Sequence, residues 1–110
     1  MEDEYFYSYP DLIARNKNRS YREMINNSGK SFMRFLVNNE LILLDPFLEN
    51  GELKQDLEIF RSNLTAEGAE IFNKPFERWL SYLEKGGDAT NFGTLEKALL
   101  KIRANEPKIS

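Results

Sequence analysis

The chain has 110 residues, enough for one domain spanning 1–110 and too few for two. It contains no cysteine and no histidine, which removes disulfides, thiolate nucleophiles, most zinc sites and the commonest general base. No apolar run approaches the ~20 residues of a membrane span, and Met1-Glu2-Asp3-Glu4 is acidic where a secretory signal is basic and then apolar, so a cytoplasmic protein is expected.

Ser8 or Tyr9 before Pro10 predicts a short helix to about Asn16, with proline where its missing N–H costs nothing. Ser20 with Glu23 fits a capping box opening a second helix. Gly29 interrupts it, and Phe32, Phe35, Leu36 and Asn39 mark the stripe of a third helix from about Lys30. Between 41 and 62, Asn50-Gly51 is a hairpin signal that predicts a short two-stranded antiparallel ribbon, pairing Leu44 with Leu57 and Ile42 with Ile59. Leu53, Leu57, Phe60 and Leu64 also recur at helical spacing, so helix remains an alternative at 53–62. Thr65 caps a helix with Ala69, Phe72, Phe76, Leu80 and Leu83 on its inner stripe and Trp79 beside them. Pro75 forces a kink or restart, and Gly86-Gly87 closes the helix. Asn91 caps a last helix carrying Phe92, Leu95, Leu99 and Ile102, stopped before Pro107. The expected fold class is therefore mainly α, about five helices with one small ribbon, an order that also fits a winged-helix-like arrangement.

Charge is laid out in blocks. Residues 1–14 carry four acids and no base, beside Tyr5, Phe6, Tyr7 and Tyr9. Residues 1–9 read equally as a segment docked on the core or as an acidic-aromatic arm for a partner. Residues 15–34 carry Arg15, Lys17, Arg19, Arg22, Lys30 and Arg34 against Glu23. Residues 35–70 carry Glu40, Asp45, Glu49, Glu52, Asp56, Glu58, Glu67 and Glu70 against only Lys54 and Arg61. An acidic block of this kind is either an ordinary solvated face or a surface for a basic partner.

Several apparent motifs fail on spacing. Gly29-Lys30-Ser31 resembles the end of a phosphate-binding loop, but Met24 stands where the other glycine belongs. With Gly51 as the sixth position of a calcium loop, the first and third ligands would be Pro46 and Leu48. No metal or cofactor is expected, and a chain this small leaves little room for a deep substrate cleft. An enzyme is not the expectation.

The stretch Ser62-Asn63-Leu64-Thr65-Ala66-Glu67-Gly68, with Trp79-Leu80, Gly86-Gly87-Asp88 and Leu95-Glu96-Lys97-Ala98-Leu99, resembles small immunity proteins of bacterial polymorphic and contact-dependent growth-inhibition toxin systems. The resemblance spans about 32–103 and implies a non-enzymatic protein that binds and neutralises a cognate toxin domain, often a basic nuclease. It transfers no individual site residue. Together with the acidic block it makes Glu40, Asp45, Glu49, Glu52, Asp56 and Glu58 the expected toxin contacts. The alternative is a winged-helix-like DNA-binding regulator or antitoxin using Arg19, Arg22, Lys30 and Arg34, against which stands a pI near 5.1.

Overall fold

A computed structural model describes residues 4–15 and 17–104. In chain order it has β1 (Tyr5–Ser8), α1 (Tyr9–Ala14), α2 (Arg19–Asn38), β2 (Glu58–Phe60), a 3-10 turn (Arg61–Asn63), α3 (Ala66–Ile71), α4 (Lys74–Glu84) and α5 (Gly93–Ala104). The fold is mainly α with one two-stranded antiparallel sheet, as expected.

Local signals placed most helix ends. The Asp11 N–H donates to Ser8 Oγ, so Ser8 caps α1 with Pro10 in its first turn. Thr65 Oγ1 accepts from the Gly68 N–H at 3.0 Å and starts α3. The chain then breaks and restarts with Pro75 in the first turn of α4, the restart that proline was expected to force. Gly86 takes φ +94° just after α4, and Asn91 Oδ1 accepts from the Gly93 N–H at 3.0 Å to open α5. The stop before Pro107 lies outside the described residues.

Two expectations about α2 are corrected. Gly29 does not interrupt a helix, since α2 runs unbroken for 20 residues. A Cβ at Gly29 would stand 2.9 Å from the Tyr7 hydroxyl and 3.0 Å from Leu53 Cδ1, so this glycine makes room for packing rather than for a bend. Ser20 is not the cap either. Asn18 Oδ1 takes the N–H groups of Ser20 and Tyr21, and Glu23 pairs with Arg19 one turn back.

The ribbon is real but joins other segments. Ile59 pairs with Tyr7 and Glu58 with Ser8, so the partner of β2 is the N-terminal β1 and not the chain at 41–44. Residues 5–8 are thus a sheet strand with Tyr7 and Ser8 buried, not a free arm, while residues 1–3 lie outside the described part. Asn50-Gly51 does turn the chain. The Gly51 N–H donates to Leu48 O and the Leu48 N–H to Glu52 O, with Gly51 at φ +85°. That is a three-residue connection built on an ordinary turn and closed by glycine, so Phe47 faces Leu53. One bridge forms and pairing ends there. Ile42 instead faces Leu64, five residues beyond its expected partner.

The core centres on Trp79, wholly buried, with ring centroids of Phe32, Phe76 and Phe92 within 5.9 to 6.4 Å. Its indole N–H donates to Asn91 O at 3.0 Å, tying α4 to the loop before α5. Phe32, Phe35 and Leu36 of α2 and Leu95 and Leu99 of α5 join it, as their spacing predicted, and Met33, which the spacing did not mark, is buried with them.

Candidate functional site: an acidic loop on a basic helix

The segment between α2 and β2 has almost no regular structure, so its backbone polar groups are satisfied by its own side chains and turns. Asp45 Oδ1 accepts from the Phe47 N–H, Asn50 Oδ1 from the Glu52 N–H, and Pro46 O from the Lys54 N–H, all at 3.0 Å. Leu53 and Leu57 are buried and nail the segment to the core. The result is a loop with a defined shape.

All six predicted carboxylate residues are exposed. Asp45, Glu49, Glu52 and Asp56 share this loop, and Glu58 follows on β2. Glu40 stands apart at the end of α2, where it is the described non-glycine residue with positive φ, +58°. There the Leu41 N–H donates to Leu36 O and the Glu40 N–H to Val37 O, the helix closure normally given to glycine. Among the described residues no three acids converge as a metal site would require, so these carboxylates form a surface rather than a cation cage.

The four cations of the alternative reading fall on one stripe of α2, because Arg19, Arg22, Lys30 and Arg34 are spaced by near-whole turns. Only an unbroken helix could align them. The acidic loop lies against the far half of that stripe. Lys30 Nζ is 2.8 Å from Glu52 Oε2, and the Arg34 guanidinium sits 6.0 Å from the Phe47 ring centroid. Arg19 is held by Glu23 at 3.2 Å. The two faces that the sequence offered as rivals are in contact.

In the stretch read as a winged-helix-like arrangement, α2 runs unbroken through residue 30 and the two-stranded sheet pairs β2 with β1. The Lys30–Asn39 stretch, its candidate reading helix, buries Phe32, Met33, Phe35 and Leu36.

Sequence reasoning missed two apolar residues of the loop region. Leu43 is 67% exposed and Leu48 is 45% exposed, and neither was singled out as a contact residue. Their exposure follows from the turn at 48–51, which Asn50-Gly51 signals without fixing its pairing, and from the 42–64 bridge, which leaves no local signal. Nearby, burial raises the Tyr9 phenol above its ordinary value, helped by the Glu52 carboxylate and opposed by Lys30. The Tyr9 hydroxyl donates to Asn26 Oδ1. Behind β1, the Tyr7 hydroxyl is sealed against Gly29 with no hydrogen-bond partner among the described residues, and burial holds its phenol protonated far beyond the usual range.

Comparison with protein-family models, with curated proteins and with solved structures gives no match to this chain. No helix among the described residues is long and apolar enough to cross a membrane.

Proposed function

We propose that this protein is a non-enzymatic cytoplasmic immunity protein that neutralises a basic toxin domain, most simply a nuclease, through the acidic loop. One observation supports this above others. A loop of defined shape exposes Asp45, Glu49, Asp56 and the adjoining Glu58, none of them in an ion pair among the described residues, next to two solvent-facing leucines. Exposed leucines on the same loop as unpaired carboxylates suit a partner whose Lys and Arg groups otherwise hold nucleic-acid phosphates. Such carboxylates take over those charge-assisted bonds and steer the encounter. Leu43 and Leu48 then supply dry contact. Pre-shaping by Asp45 and Asn50 lowers the ordering cost of binding.

The test is affinity capture from host lysate with and without nuclease, followed by association kinetics of the captured basic polypeptide. Glu49→Lys with Asp56→Lys should slow association at least tenfold at low salt and much less at high salt. Glu52 is a poorer choice because its reversal also breaks the Lys30 pair. An unchanged rate removes the loop from the interface. Recovery of DNA that disappears on nuclease treatment would instead transfer function to the α2 stripe.

A further inference from the structure

The eight residues 85–92 join α4 to α5, and the start of α4 comes to lie beside the end of α5. A furrow of about 390 Å³ runs between them. Arg78 lines it from α4, and Thr94, Lys97 and Lys101 line it from α5, with Ala98 and Ile102 as an apolar floor. The α5 residues recur at i, i+3, i+4, i+7 and i+8, one continuous helical stripe.

Among the described residues no acid lines this furrow. Glu77 and Glu84 are a whole number of turns apart on another flank of α4, and Glu96 borders a different hollow with Asn38 and Arg103. Arg78, Lys97 and Lys101 form no ion pair among the described residues, in a chain whose net charge is −3. Like charges four apart on a helix repel, so Lys97 and Lys101 weaken α5 unless an anion sits between them.

We propose that the α4–α5 furrow binds a small organic phosphate carrying at least two negative charges. The Arg78 guanidinium suits a bidentate grip on phosphoryl oxygens, Lys97 and Lys101 add point charges from the other wall, and the Thr94 hydroxyl donates a further bond. Ala98 and Ile102 take the organic part. The furrow has the volume of a small-ligand site. A nucleic-acid strand is a poorer fit, because its binding surfaces pair a long cationic track with aromatic platforms and no aromatic ring among the described residues lines this furrow.

The ¹⁵N-labelled full chain is titrated with inorganic pyrophosphate, ADP and a single-stranded oligonucleotide at low ionic strength. Saturable shifts in the amides of 76–78 and 94–102 with pyrophosphate and ADP are expected. Binding should weaken at least tenfold in Lys97→Gln/Lys101→Gln, whose exposed positions leave the rest of the spectrum unchanged. Arg78→Lys should weaken it severalfold while keeping the charge. Shifts that do not saturate, shifts that map to α2 instead, or equal binding by the double variant would overturn the site. Tighter binding of the oligonucleotide per phosphate than of pyrophosphate would overturn the small-ligand assignment.

Discussion

The helical run from 65 to 104 and the irregular segment from 39 to 64 are built on different terms. In the first, each boundary has a local cause: Thr65, Pro75, Gly86 and Asn91 each act within a few residues of themselves. In the second, the contacts that decide the path are distant. Leu41 O accepts from Thr65 N, Ile42 faces Leu64, and β2 pairs with a strand some fifty residues earlier. The candidate surface is therefore imposed on its loop by the core, through Leu53, Leu57 and Ile59, and is not a property of the loop alone.

The seam between the two regions is the place to break this. Gly68 of α3 packs against the Leu41 backbone, and a Cβ there would collide with the Leu41 carbonyl oxygen. Gly68→Ala should cost about 3 kcal/mol, since backbone on both sides must move. Urea unfolding measures it, and a loss near zero would mean that the regions are not locked together at this point.

Tyr7 tests the second attachment, where β1 holds β2. Its hydroxyl is buried without a partner among the described residues, so Tyr7→Phe should stabilise the fold by about 1 kcal/mol at neutral pH. The pH dependence has a definite sign. Burial raises this phenol above the ordinary value of 10.0, so above that pH the unfolded chain has lost a proton that the folded chain keeps. Stability therefore falls as pH rises past 10, and Tyr7→Phe should remove that part of the fall. An unaltered alkaline limb in the variant would show the hydroxyl to be solvated.

Glu40 gives the smallest effect and separates stability from binding. A glutamate in the left-handed region costs backbone energy that glycine does not, so Glu40→Gly should stabilise by about 0.5–1 kcal/mol. Association with a basic partner should change little, because Glu40 lies apart from the other five carboxylates. A large loss of association would extend the interface to the end of α2.

Much of the helical architecture was legible because it depends on short-range chemistry. Ser8, Thr65 and Asn91 could be recognised as caps, and Phe32, Leu36, Trp79, Leu95 and Leu99 as core, from spacing alone. Gly29 misled because a glycine that bends a helix and one that admits a neighbour look identical in sequence. Only the positions of Tyr7 and Leu53 tell them apart. Asn50-Gly51 announced a turn, which formed, but a turn does not say how far the pairing extends. The acidic residues were visible as a block, while their engagement was not: nothing near Glu52 points to Lys30, 22 residues away.

A mostly helical chain without thiol or imidazole chemistry, with an aromatic core and an acidic middle, could be read from residue order, because periodicity and capping act over a few bonds. Only the tertiary structure decided which strand β2 would join, that Leu43 and Leu48 would face solvent, that the acidic loop would rest on the basic stripe of α2, and that Arg78, Lys97 and Lys101 would share one furrow. Those outcomes depend on the collective burial of Tyr7, Leu53, Leu57, Ile59 and Trp79. The free energy of that burial belongs to the assembled core, not to any segment of the chain.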